Sequence, residues 1–333
     1  VIILNNIIVL HNEGIEIKTL YYFIFPLIYL VLITIFINMK NLDKVIEVYF
    51  MVNICILLIT RLFNYYPDTL VFYYRNYIFG NITTAGHYLT LIENRQLGLL
   101  GHPAWSALMI YLLGKFLAIK KDKYFYVFLS IIGIILTGGR AALFSLIILE
   151  FYTIVSKQKF NIVNKLKYVI ISMILIFTVV GLTYYFNEGF RYFVQVTIED
   201  IMMNSNFRSY SIKYRLEMYK LLFSQNLLVI LFGSGSIFSR LSTNLKFFDS
   251  ELVMRTFQFG IIGYLLLFLP IIISYFNSKK ANNKVGNEIS LFMLLFSILA
   301  SLTTTVASNM IFIIFISIII AIVEQDNKNL TLT

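Results

Sequence analysis

The side chains best equipped for chemistry in this 333-residue chain are its arginines and a pair of carboxylates. The arginines are Arg61, Arg75, Arg95, Arg140, Arg191, Arg208, Arg215, Arg240 and Arg255, and none of them falls in the short linkers where lysines collect. A guanidinium is a planar fork that holds phosphate through paired N–H bonds, whereas lysine offers a hydrated point charge. Lysine in the linkers and arginine elsewhere is the pattern of a surface built to meet an anion. Arg75, Arg191 and Arg208 are expected to be ordinary satisfied surface residues. Asp249 and Glu251 stand ahead of an apolar helix, with Arg255 one turn further in. Helix capping by itself explains Asp249, and an i, i+4 pair explains Glu251 with Arg255.

Arg140 poses the sharpest question, because "LTGGRAAL", residues 136–143, lies inside a run over 124–155 that is otherwise nearly all apolar. An arginine at a bilayer centre costs roughly 2.5 to 3.5 kcal/mol, so something has to offset it. Elsewhere, Arg95 and His102 frame the start of a helix whose Pro103 suits a first turn, and His102 reads either as a polar cap or as a substrate contact. Arg215 and Tyr219 share a helical face, which serves substrate binding or an interfacial helix lying on the headgroups. "FGSGS", residues 232–236, holds Gly233 and Gly235, whose backbone can cradle a phosphate or simply turn the chain. Cys55 is the single cysteine, and His11, His87 and His102 lack metal-ligand spacing. Walker A, nucleophile-elbow and dinucleotide signatures are missing too. The expectation is chemistry with no metal and no cofactor.

These residues must be held by helices in a bilayer. Hydrophobic residues make up 59% of the chain and charged residues 13%, with a mean hydropathy of +0.81; soluble domains carry about 25% charged residues. A spanning helix needs about 20 mainly apolar residues. Such stretches occur near 20–37, 45–62, 101–119, 168–186, 257–276, 289–306 and 309–323. The fold class is an all-α polytopic integral membrane protein, a single membrane domain over 1–333 with about 10 transmembrane segments; continuous runs such as "IFIIFISIIIAIV" exclude a β-barrel. Lysines at 40 and 44, at 120–123, at 157–167, at 279–284 and at 328 mark the inner side. Two long segments, about 64–98 and 187–248, then fall on the outer face.

Both the 120–123 and the 157–167 linkers are inside, so the chain between them forms a hairpin with arms of about 124–136 and 140–155. Its Thr137-Gly138-Gly139 turn should lie below the outer surface, where irregular backbone survives only in protein or beside water. Arg140 would then face a cavity open to the outside. The competing reading is one long tilted helix with Arg140 snorkelling to the interface. At the N-terminus, "VIILNNIIVL" has the length of half a helix, which suggests a start cut from a longer chain or assigned late.

The stretches "RQLGLLGHPAWSALM", "LTGGRAALFSLII", "YRLEMYKLLFSQNLLVILFGSGSIF" and "DSELVMRTFQFGIIGYLLLF" together resemble the O-antigen polymerase and O-antigen ligase superfamily of bacterial surface-polysaccharide proteins. They are similar, in order, to that family's arginine, glycine and His-Pro segment, its Thr-Gly-Ser-Arg hairpin, its arginine helix with a Gly-x-Gly turn, and its polar-headed helix ending in a glycine pair. The likeness covers about residues 95–270. Ligases usually open the last segment with histidine and asparagine; Asp249-Ser250-Glu251 stands there instead, which favours a polymerase. Gly139 replaces the hairpin serine.

The resemblance implies a metal-independent, inverting glycosyltransferase of the bacterial inner membrane that works on the periplasmic or outer face. It would polymerise O-antigen or capsule repeat units, using an undecaprenyl-pyrophosphate-linked oligosaccharide as donor. Arg140 and Arg215, with Arg95 next, would stabilise the departing pyrophosphate. Glu251 first, and Asp249 second, would take the acceptor proton. His102, Tyr219, Gly233, Gly235 and Arg255 complete the substrate-binding candidates. Membrane lipids and a chain-length regulator protein are the expected partners, and nucleic acid is not. The alternatives are a ligase that moves finished polymer to an acceptor, and a flippase or transporter of lipid-linked sugar. Against transport, helices 168–186 and 289–306 hold no charge.

Overall fold

Long apolar stretches flanked by polar caps have one way to satisfy every backbone group in a bilayer, which is the α-helix. The computed structural model describes residues 17–63, 99, 103–156, 174, 177–178, 180–186, 191, 194–195, 198, 210–233, 250–302 and 309–332. Every regular element among them is helical. The chain divides into two compact units, Lys44–Arg208 and the pairing of Val1–Asp43 with Ser209–Thr333.

The Lys44–Arg208 unit holds most of α2 (Leu42–Phe63), α3 (Pro103–Lys121), α4 (Phe125–Thr137) and α5 (Arg140–Ser156). Residues Ala107 to Leu113 of α3 are almost without solvent contact, so this helix is apolar all round and central to its unit. Gly114 lets α4 come close: a Cβ there would run into the Ser130 side chain and lie 2.8 Å from Tyr126 O and 2.9 Å from Phe50. At the lysine-bearing ends, Glu47 of α2 accepts from Lys121 Nζ at 2.6 Å and from the Tyr126 hydroxyl.

The two expected arms are present as separate helices, Phe125–Thr137 and Arg140–Ser156, and each packs on α3. Gly138 ends the first arm at φ 59°, donating its N–H to Ile134 O at 2.9 Å, a left-handed cap that glycine supplies without strain. Leu143 N donates to Gly139 O at 3.0 Å and starts the second arm. Thr137, Gly138 and Gly139 are all buried.

In the other unit lie α1 (Ile17–Phe36), α6 (Tyr210–Phe223), α7 (Leu227–Phe232), α8 (Glu251–Leu266), α9 (Leu269–Lys280), α10 (Lys284–Ser301) and α11 (Met310–Leu332). α9 packs on α10 and α11, and α11 packs along α1. Asn283 caps α10, accepting from Gly286 N at 2.9 Å and donating to Asn327 Oδ1 at 2.9 Å. Gln325 of α11 donates at 2.8 Å to Ile37 O and Met39 O, closing the end of α1. That cap starts α10 earlier than apolarity alone suggests, at Lys284 in place of 289. Likewise Ser250 starts α8 before 257.

Glu251–Lys280, Lys284–Ser301 and Met310–Thr331 are each long and apolar enough to cross a membrane, with mean hydropathies of 2.2, 1.3 and 1.9. Outward-facing Leu27, Leu30, Val31, Val48, Ile59, Phe128 and Phe276 form the apolar surface that lipid demands. The protein is an all-helical membrane protein in its described parts. The outer segment assigned to 64–98 lies outside the described residues, and the one assigned to 187–248 is described mainly through α6 and α7.

Candidate functional site

α8 begins at Ser250, whose Oγ accepts from Val253 N at 3.5 Å; the cap is this serine and not the acid before it. Glu251 is the first helical residue and Arg255 follows one turn later, Nε standing 3.7 Å from Glu251 Oε1. Arg255 Nη1 donates to Gln258 Oε1 at 2.6 Å. Glu251, Arg255 and Gln258 are 0%, 1% and 3% exposed. Charges taken this far from water persist only when paired and hydrogen-bonded, and spacings of three and four residues on one helix bring these groups together.

A network of hydroxyls starts at the adjoining Ser250. Tyr219 of α6 donates to Leu302 O at 3.1 Å and lies 3.2 Å from Ser250 Oγ. Ser250 Oγ also donates to Ser301 O at 3.3 Å, and Ser301 Oγ is hydrogen-bonded to the Tyr264 hydroxyl. Met218, Leu222, Val253 and Phe257 make an apolar floor where α6 meets α8. Tyr29, buried on α1, lies within electrostatic reach of Glu251. The head of α8 therefore combines a cluster of hydrogen-bonded hydroxyls with a buried carboxylate at its first helical residue.

α7 reaches the same helix by a backbone crossing. Gly233 (φ 81°) and Gly260 (φ 70°) both take conformations that favour glycine. A Cβ on Gly233 would lie 2.5 Å from Gln258 O and 2.6 Å from Gly260 N, and one on Gly260 would strike the Leu231 backbone. Gly260 breaks α8 at this contact. The amide of Gly233 donates to Val229 O at 2.8 Å, so it closes α7 instead of presenting itself to a phosphate.

Among the predicted site residues, Glu251, Arg255, Tyr219 and Gly233 come together in one unit. Arg215 belongs to α6, one turn before Tyr219. Arg140 belongs to the Lys44–Arg208 unit, half-buried at the start of α5 beside the buried Ala141 and Ala142. Arg95, His102, Gly235 and Asp249 lie outside the described residues. Arg191 donates to Tyr184 O at 3.2 Å and Tyr185 O at 2.6 Å, and Arg61 donates to Phe186 O at 3.2 Å. Both guanidiniums thus bond to carbonyls of the helical run 180–186.

Sequence reasoning missed a second buried charge cluster. Lys115 Nζ sits 2.8 Å from both carboxylate oxygens of Glu150, and Tyr111 OH donates to Glu150 Oε1 at 3.2 Å. A lone lysine inside "YLLGKFLAI" and a lone glutamate inside "LIILEFY" were the available signal. Asn53, 1% exposed, was missed as well; its Oδ1 accepts from Leu99 N at 3.1 Å. Among the described residues no cluster of histidine, cysteine, aspartate or glutamate is placed to hold a metal ion. No protein family and no curated protein matches the chain.

Proposed function

We propose that the protein polymerises lipid-linked repeat units of a surface polysaccharide on the outer face of the bacterial inner membrane. The acceptor hydroxyl attacks the anomeric carbon of the growing glycan, and the bond to the polyprenyl pyrophosphate breaks with its electron pair. The hydroxyl proton passes to Glu251. The products are the glycan lengthened by one unit and free lipid pyrophosphate. Arg140 and Arg215 meet the charge that develops on the pyrophosphate. Arg255, bonded to Gln258 and facing Glu251 at 3.7 Å, keeps a countercharge beside that carboxylate.

The single observation that carries this reading is the head of α8. A buried carboxylate, Glu251, faces Arg255 there, Arg255 is bonded to Gln258, and the same helix is tied to α6 through Tyr219 and Ser250 and to α7 through the Gly233–Gly260 crossing. The third and fourth resembling stretches are packed together by these contacts, and a fixed carboxylate beside hydroxyl groups is what proton removal from an alcohol needs.

The test is the gel profile of surface polysaccharide from a strain lacking this gene, beside the complemented parent. Polymerase activity predicts a ladder that collapses to a single repeat unit on its acceptor. Long polymer accumulating on the lipid carrier would instead support the ligase alternative, and repeat units trapped on the inner side would support the flippase.

A further inference from the structure

We propose that Lys115 and Glu150 are positioning residues that set the register of α5 against α3 and thereby place Arg140. The inference rests on the reading of Arg140 above. α5 is tied at one end by the buried turn Thr137-Gly138-Gly139, while α4 is tied at its other end through Tyr126 and Glu47. α5 packs on α3, and its buried Leu146 and Leu149 are apolar side chains, whose packing tolerates sliding. Lys115 with Glu150 is different. Nζ is 2.8 Å from both carboxylate oxygens, Tyr111 supplies a further bond at 3.2 Å, and the side chains are 5% and 19% exposed. Hydrogen bonds of that kind are satisfied at one rotation and one axial height.

Ionisable groups inside membrane helices are costly and mark function more often than stability. A buried ion pair is commonly replaceable by apolar residues without loss of stability. What the pair supplies is register. Glu150 lies ten residues from Arg140 on one helix, about 15 Å along its axis. A rigid helix carries a rotation or slip at Glu150 straight to the guanidinium.

The experiment compares Lys115→Met/Glu150→Met, the swap Lys115→Glu/Glu150→Lys, and Arg140→Ala in a Cys55→Ser background. Nitroxides on the exposed positions 128 and 144 (Phe128→Cys, Phe144→Cys) report the distance between α4 and α5. Turnover is measured with lipid-linked repeat units extracted from the deletion strain. The methionine pair is expected to accumulate normally, to broaden the narrow nitroxide distance, and to lower kcat about 100-fold at unchanged KM; the swap is expected to recover both. If the methionine pair fails to accumulate, Tyr111→Phe carries the test, with kcat about fivefold lower. An unbroadened distance, wild-type turnover of the methionine pair, or a folded swap that recovers nothing overturns the proposal. Absence of turnover by the unsubstituted protein, with the distance still broadened in the methionine pair, overturns the polymerase reading instead.

Discussion

Glu251 and Arg255 are worth more together than either is alone. Removing one partner of a buried pair strands the other, at a cost of about 3–5 kcal/mol. Arg255→Met is therefore expected to lower the thermal midpoint in detergent by that equivalent, because it leaves the Glu251 carboxylate, 0% exposed, and the Gln258 amide without their donor. Glu251→Gln keeps the volume but removes the countercharge of Arg255 and cannot accept the acceptor proton. It is expected to accumulate at a lower level and to lose roughly 10²–10⁴ in turnover per molecule; wild-type turnover per molecule in that variant would remove Glu251 from the mechanism. Tyr219→Phe takes away a hydroxyl that ties α6 to Leu302 and Ser250. The expected loss is about 1 kcal/mol of stability, read from the same melting curve.

Among the elements, the crossing of α7 with α8 and the α4–α5 connection depend on glycine for different reasons. Gly260 needs both its positive φ and the empty space against Leu231. Gly260→Ala is expected to destabilise by about 1–3 kcal/mol from backbone conformation alone, more with the clash, and to lower membrane abundance. Gly181 provides the contrast: a Cβ there meets nothing within 4 Å. Gly181→Ala should be neutral, or stabilising by up to about 1 kcal/mol through helix propensity. In the connection, Gly138 caps the first arm in the left-handed region and Arg140 opens the second, so the arginine's position is set by where the arms end. Both arms were legible from apolar runs parted by a glycine pair, because a cap and a helix length are local properties.

For the whole molecule, lysine placement predicts which face each loop takes. Reporters fused near 122, 162 and 282 should read as cytoplasmic, and those within 64–98 and 187–248 as external. An external reading at 122 would invert the hairpin and take Arg140 away from the outer face. All-helical architecture and membrane residence followed from composition, since 59% hydrophobic residues in runs of about 20 can satisfy their backbone only as spanning helices. The pair Glu251 and Arg255 was legible too, because four-residue spacing fixes a shared helix face. Other contacts were closed to sequence. Lys115 meets Glu150 and Gly233 meets Gly260 across long separations in the chain, and no local periodicity encodes which helices become neighbours. Packing assigned those partners: glycines allowed backbones to touch, and a buried lysine needed a carboxylate that only another helix could bring.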